Sequence, residues 1–284
     1  MKPIYRHKAA NGVKGLPAIK NIIAVASGKG GVGKSTVALN LACALQQGGA
    51  QVGLLDADIY GPSQPHMLGV TIKPNIREDK SIDPIIVHGL QTMSIGYLID
   101  AETPAVWRGP MVSGALQQML NQTAWQSLDY LIVDLPPGTG DIQLTLAQKI
   151  PVCGAVIVTT PQDVALLDVK KAIAMFERVK VPILGVIENM SVHVCHNCGH
   201  EDPVFGVDGG VRLAALHGIS FLGSLALDRR LCEQGDLGVP MLIAEPQAAT
   251  SQQFKCIALK AQEQLSIVPR DLNIPISNIV LEET

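Results

Sequence analysis

Gly28-Lys29-Gly30-Gly31-Val32-Gly33-Lys34-Ser35-Thr36 lies between an apolar run, Asn21-Ile22-Ile23-Ala24-Val25-Ala26, and a stretch of helical character, Val37-Ala38-Leu39-Asn40-Leu41-Ala42-Cys43-Ala44-Leu45. Gly28, Gly33, Lys34 and Ser35 fit G-x-x-x-x-G-K-[ST], a loop that cradles phosphate. Its glycines let successive backbone N–H groups turn inward around a triphosphate. The Lys34 ammonium then reaches the β and γ phosphates, and the Ser35 hydroxyl is placed to bind Mg²⁺. Strand, glycine loop and helix are the context the motif requires, and the helix N-terminus adds its own affinity for anions.

Outward from the loop, apolar strands alternate with helical stretches. Strands are expected at 22–26, 51–55, 90–95, 130–133, 155–159, 183–187 and 221–225. Helices are expected at 34–47, 109–120, 140–149, 163–179, 209–217, 228–234 and 246–265. This alternation implies right-handed crossovers, so the fold class is α/β: a mostly parallel sheet flanked by helices on both faces. Residues 1–20 lack periodicity and read as a flexible leader. Residues 21–265 read as one P-loop ATPase domain, with a cysteine-pair loop near 191–200. Residues 266–284 read as a loose C-terminal tail.

The 284 residues are 47% hydrophobic but only 4% aromatic, a balance suited to buried strands and helices rich in Val, Ile, Leu and Ala. Net charge is −3, which argues against a nucleic-acid-binding body. No Asp or Glu precedes Asp56, and the Lys-rich N-terminus reads as a solvated tail. No apolar signal segment follows the basic start, and no apolar run is long enough to span a bilayer. A soluble, cytoplasmic protein is expected. Of the six cysteines, Cys43, Cys153, Cys232 and Cys256 stand singly among apolar neighbours and read as buried small hydrophobes.

Two acidic motifs follow the glycine loop. Leu54-Leu55-Asp56-Ala57-Asp58 ends an apolar run in two carboxylates. Tyr130-Leu131-Ile132-Val133-Asp134 ends another and leads into Leu135-Pro136-Pro137-Gly138-Thr139-Gly140-Asp141. A strand ending in Asp completes a P-loop site, because its carboxylate holds hydrated Mg²⁺; Asp134 takes this role. Asp56 and Asp58 share the support of Mg²⁺ and the positioning of the attacking water, both facing the phosphates if the strand continues through Asp58. The competing reading is that one of them caps the next segment. Lys29 exceeds what a P-loop needs. Next to Lys34 it requires extra negative charge, which an ATP shared across a dimer supplies, so Lys29 is expected to act in trans as an arginine finger does.

The run Lys29-Gly-Gly-Val-Gly-Lys-Ser-Thr36 resembles the deviant Walker A loop of the dimerising ATPases related to MinD, ParA and the nitrogenase iron protein. Asp56-Ala-Asp-Ile-Tyr-Gly-Pro-Ser63 with Pro65, Asp134-Leu-Pro-Pro-Gly-Thr-Gly-Asp141, Glu188-Asn-Met-Ser191 and Cys195-His-Asn-Cys198-Gly-His together resemble the Mrp/ApbC family of iron–sulfur cluster carrier ATPases. The resemblance runs from about residue 20 to 265. It implies a homodimer with ATP between the subunits, bound by Gly28, Lys29, Gly30, Gly31, Val32, Gly33, Lys34, Ser35 and Thr36. It places Lys29 on the partner's nucleotide and Asn189 at the position that reads adenine. It makes Asp58 the residue that orients the water, with Lys29 and Lys34 as its catalytic companions, and Ser35, Asp56 and Asp134 the magnesium-side groups. Many bacterial members carry a small acidic domain ahead of the ATPase; here about 20 residues precede the first expected strand.

Cys195 and Cys198 sit in a polar loop with His193, His196 and His200. One C-x-x-C gives two thiolates, and a [4Fe–4S] cluster takes four. Two chains contributing one pair each resolve the deficit with a cluster bridging the subunits, as the family pattern also implies. Zinc held with two of the histidines, a redox dithiol and a metal-free turn are the alternatives. The leading reading is a carrier that hands its cluster to apo iron–sulfur proteins and works with assembly scaffolds, using ATP and Mg²⁺. The principal alternative is a positioning ATPase of the MinD/ParA kind with a structural zinc site. The chain's acidic end, Val280-Leu-Glu-Glu-Thr284, opposes a membrane version, and its mild net acidity opposes a chromosomal one. A small-molecule kinase on the same core is a third reading.

Overall fold

A computed structural model of the chain describes residues 3–9, 12–99, 109–195 and 197–271. In chain order the elements are β1 (Ile19–Ser27), α1 (Lys34–Gln47), β2 (Val52–Asp56), α2 (Gln64–Met67), β3 (Ile85–Val87), β4 (Leu90–Ser94), α3 (Gly109–Gln122), β5 (Leu128–Asp134), α4 (Asp141–Lys149), β6 (Gly154–Thr159), α5 (Asp163–Arg178), β7 (Ile183–Glu188), β8 (His193–Val194), β9 (Glu201–Asp202), α6 (Gly209–His217), β10 (Phe221–Ser224), α7 (Arg229–Asp236), α8 (Met241–Ala244) and α9 (Ala249–Ile267).

Among the described residues eight strands form one sheet in the order β10-β7-β6-β1-β5-β2-β4-β3, while β8 and β9 pair separately as a small ribbon. The large sheet is parallel except at its edge, where β3 runs antiparallel to β4. Both faces are covered, which is why β1 is apolar along most of its length. Ile22, Ala24 and Ala26 enter the core beneath α3, α4 and α5; Ile23 and Val25 enter the opposite core beneath α1 and α9. That alternation is the period of an extended strand. Phe176 of α5 and Phe254 of α9 are fully buried on their respective sides. Truncating either to alanine removes about 3–5 kcal/mol of stability.

The expected α/β architecture is the one observed. The expectations omit the short pieces α2, α8, β3 and the ribbon β8–β9, which are too brief to show periodicity. Within the stretch read as a flexible leader, residues 5–8 are fastened down. Arg6 O accepts the Asp271 N–H, the Lys8 N–H donates to Pro269 O, and His7 bridges to Arg270. The cause is Asn21, fully buried inside β1. Its Oδ1 accepts from the His7 N–H at 3.0 Å, and its Nδ2 donates to Tyr5 O at 2.9 Å. A buried carboxamide without partners is costly, so the leader satisfies the strand. Arg270 also stacks over the Tyr5 ring at 3.7 Å, so the first residues of the expected loose tail are held as well. Residues 272–284 of that tail lie outside the described residues.

Strand order reverses around β1, so ligands are expected beyond its carboxyl end. Registers bring a row of polar residues to that edge. Asp56 is the cross-strand partner of both Ser94 and Asp134, Asp134 also lies opposite Val25, and Thr159 lies opposite Glu188. All of these polar residues are buried.

Candidate functional site

The glycine loop leaves β1 and enters α1 with Gly31 and Gly33 both at φ 79°. L-residues with side chains avoid that region, so these turns need glycine. Gly28 is required for a different reason: a Cβ there would drive into the backbone of Asp168 and Val169 on α5. The loop is thereby wedged between α5 and the start of α1.

Lys34 is the buried cation of the site, 6% exposed. Its Nζ pairs with Asp134 and lies 3.2 Å from Ser35 Oγ. The other Asp134 oxygen accepts from Gln64 Nε2 at 2.9 Å. Lys29 contrasts with it. The side chain is half-buried, its carbonyl accepts from Ser27 Oγ, and its ammonium has no hydrogen bond or ion pair among the described residues. Gly138, at φ 99°, donates its N–H to Ser27 O at 3.0 Å. This ties the loop after Asp134 to the start of the glycine loop, where a change at one is felt at the other.

β2 ends at Asp56, so Asp56 and Asp58 do not share one strand face as the sequence reading allowed. Instead Asp56 accepts from the Asp58 N–H and the Gln64 N–H, each at 3.2 Å, and from Ser94 Oγ at 3.0 Å. Its carboxylate thus closes the 56–64 loop and receives the first N–H of α2, which is the capping alternative. Asp58 sits beyond it and is 9% exposed. Burial raises its carboxyl, Lys34 opposes that shift, and Asp134 adds to it. Asp56 is pushed up to about 7, chiefly by burial and then by Asp134.

A pH dependence follows. In the unfolded chain Asp56 titrates near its ordinary value, about 3.9. Between about pH 4 and 7 the native state retains a proton that the unfolded state releases, so this residue's contribution to stability is full at the acid end and is lost as pH rises through 7. Asp56→Asn should flatten that dependence. Melting temperatures of wild type minus variant, measured at pH 5 and pH 7.5, should differ by several degrees, about 2–4 °C for each kcal/mol. An identical difference at both pH values would contradict the assignment.

On the other side of the loop, Asn189 follows β7 and is buried. Its N–H donates to Thr159 O at 2.7 Å and its Nδ2 to Val32 O, within the glycine loop, at 2.9 Å. The next residues carry this connection to the cysteines. Ser191 N–H donates to Leu225 O, and Leu227 N–H to Val192 O, which continues the β7–β10 pairing past the strand ends. β8 and β9 then form the ribbon, with His193 opposite Asp202 and Val194 opposite Glu201.

Cys195 and Cys198 lie in the turn of that ribbon, the first half-buried and the second exposed. The turn is closed by Cys195 N–H to His200 O at 2.9 Å and Gly199 N–H to Cys195 O at 2.8 Å. The backbone N–H groups of Cys198 and Asn197 point at the Cys195 sulfur, and with the Cys198 thiol they hold the Cys195 thiol below its ordinary value. Donors aimed at sulfur stabilise the thiolate, the form that binds metal. Among the described residues no three of His, Cys, Asp and Glu converge into a metal-holding group. His196, one of the three histidines of the zinc alternative, lies outside the described residues. Cys232 and Cys256, expected to be buried, are exposed, because the helices that carry them turn those faces to solvent.

Gln64 and Ser94 belong to the site but were not apparent from the sequence, and Glu188 entered it only as the first residue of the Glu188-Asn-Met-Ser191 motif, with no task of its own. Each is a single polar residue at the end of an element; the register of the sheet brings Ser94 and Glu188 to this edge, and tertiary contact brings Gln64. Glu188 Oε2 accepts the Gly210 N–H at 2.5 Å and so fixes α6 beside β7.

Among the described residues no helix is long and apolar enough to cross a membrane. Residues 18–262 match the family model of the NUBPL iron-transfer P-loop NTPases, within the ParA group. An iron–sulfur cluster carrier protein of Pseudomonas fragi is 57% identical over 255 residues, covering 89% of each chain. One from Escherichia coli is 53% identical over 264 residues, covering 91% of this chain and 72% of its own length. A nucleotide-binding protein of Archaeoglobus fulgidus, solved in complex with ADP, superposes with a TM-score of 0.71 at 39% identity, over 81% of this chain and 90% of that one. The MinD cell-division ATPase of Pyrococcus furiosus, at 20% identity and a TM-score of 0.64 over 86% of this chain and 98% of its own, shares the fold. With its wedged glycine loop, its buried Lys34 and its row of strand-end carboxylates, the chain belongs to the NUBPL iron-transfer family of P-loop NTPases.

Proposed function

We propose that this chain is a cytoplasmic ATPase that carries an iron–sulfur cluster to apo-proteins, with residues 21–265 as the working unit. Two copies meet with ATP between them and hold one [4Fe–4S] cluster on their paired Cys195 and Cys198 residues. The observation that carries this reading is the cysteine turn. It favours the thiolate of Cys195, offers two ligands too few for a cluster, places Cys198 at the surface beside the half-buried Cys195, and is joined through residues 189–192 to the glycine loop. The surroundings support a protein-facing role, since Val194, Val204 and Val207 are exposed in the ribbon and just after it.

The nucleotide side follows from the geometry. Lys34 exchanges its pairing with Asp134 for the β and γ phosphates, and the glycine-loop N–H groups hold the phosphate oxygens. Asp56, Asp58 and Asp134 outnumber Lys34, the one buried lysine or arginine among the described residues, and form an oxygen-rich set that suits a divalent ion. Ser35 and Asp134 would hold Mg²⁺, which neutralises phosphate charge when bound. Asp56 supports them by fixing the loop, and Asp58 orients the attacking water. Asn189 reads the adenine.

Lys29, whose ammonium has no partner among the described residues, acts on the partner's nucleotide. Lys29→Ala should leave ATP affinity nearly intact and lower turnover about 10³-fold or more, the scale of a finger residue acting in trans. Mixing Lys29→Ala with Asp58→Ala chains should restore activity above either parent, because one site of the mixed dimer is whole. No gain on mixing would refute action in trans. The carrier reading itself is tested by incubating reconstituted protein with an apo [4Fe–4S] enzyme under anaerobic conditions. Recovered activity of the acceptor, blocked by neither chelator nor dilution, is expected. An acceptor that recovers only as fast as with free iron and sulfide would refute it.

A further inference from the structure

Gln64 opens α2 and is 1% exposed, yet neither the motifs nor the family reading gives it a task. Its Nε2 donates to Ser35 O at 3.1 Å and to Asp134 Oδ2 at 2.9 Å, and its backbone N–H donates to Asp56 Oδ2. One side chain therefore spans the glycine loop and the strand-end carboxylate. Both partners of the amide nitrogen are acceptors, so the carboxamide cannot be turned end for end. Its Oε1 is consequently fixed, and it is buried without any hydrogen-bond partner. The hydroxyl of the adjacent Ser63 is buried without a partner as well. An unsatisfied buried acceptor costs free energy until a donor arrives. The side chain lies against Ser35 and Asp134, the residues proposed for Mg²⁺. That cation keeps several of its waters when bound, and each is a strong donor.

We propose that Gln64 is a positioning residue for the hydrated magnesium ion. Oε1 accepts a hydrogen bond from a water of the cation's shell, while Nε2 holds the Asp134 carboxylate in place after Lys34 has moved to the phosphates. This rests on the reading of the site as a magnesium–nucleotide site.

The test uses the full chain with Gln64→Met and Gln64→Leu, which fill the same space without polar atoms. Affinity for a fluorescent ADP analogue is measured across a Mg²⁺ titration and again in EDTA, with melting temperatures of the nucleotide-free proteins alongside. The Mg²⁺ concentration giving half the effect should rise about fivefold, the scale of one hydrogen bond, while affinity in EDTA stays at the wild-type value. An unchanged Mg²⁺ midpoint would overturn the proposal. So would an equal loss of affinity with and without Mg²⁺, since that marks a brace of the fold alone. Should the leucine variant fold poorly, the unbranched methionine carries the comparison. If the wild type itself binds no better with Mg²⁺ than in EDTA, the underlying reading of the site fails instead.

Discussion

Lys34→Ala should eliminate ATP hydrolysis, lowering turnover by at least about a hundredfold to a thousandfold. Lys34 is the lysine buried in the carboxylate row, and its ammonium already stands beside Ser35 Oγ. Alanine removes the principal cation from the γ phosphate at the point where charge develops. Lys29 cannot replace it, because Lys29 lies half-exposed on the other arm of the loop. The same change leaves Asp134 buried beside Asp56 with Gln64 as its remaining side-chain donor. Breaking a buried ion pair costs about 3–5 kcal/mol, so the nucleotide-free variant should also melt at lower temperature. Phosphate release at saturating ATP, with circular dichroism to confirm folding, separates the two effects. A folded variant that hydrolyses ATP at the wild-type rate would refute the assignment of Lys34.

Cys195→Ser and Cys198→Ser should each lose the cluster while keeping basal ATP hydrolysis. Serine preserves the size and the turn but supplies no thiolate. The phosphate site uses neither residue, and among the described contacts the ribbon meets it only through residues 189–192. The remaining cysteines are poor ligands. Burial pushes the Cys43 thiol up to about 12 and raises that of Cys153. Cys232 and Cys256 are exposed on separate helices. Serine at any of these four should leave iron binding unchanged. Iron and sulfide content after anaerobic reconstitution, together with the visible absorbance of a thiolate-held cluster, checks both halves. Retained cluster in Cys195→Ser would contradict the ligand assignment.

How much of this was legible in advance depends on whether a signal was periodic or local. Lys34–Gln47 and Gly209–His217 appear with the bounds read from the sequence, because their glycine and helix-former patterns are long enough to be unambiguous. The glycine loop and the strand-ending Asp134 were equally plain. Asp56 was harder. Whether it bonds metal or closes a loop depends on where β2 stops, and the sequence Asp-Ala-Asp does not encode that. Asn21 and the leader illustrate the same limit at long range. A polar residue inside an apolar strand signals a buried need, but not that Tyr5 and His7 meet it. Gln64 was invisible, since a glutamine at a helix start has many ordinary uses, and its place between Ser35 and Asp134 is made by tertiary contact alone.

Iron and acid-labile sulfide per dimer, determined after anaerobic reconstitution and size-exclusion separation, test the central claim most directly. Two cysteine pairs give four thiolates, the requirement of one [4Fe–4S] cluster. The account predicts about four irons and about four sulfides in each dimer, with the colour eluting at the dimer position and absent from the monomer. A colourless monomer holding one zinc per chain, weakened by His193→Ala or His200→Ala and taking up no iron, would contradict it and leave an ATPase with a structural metal.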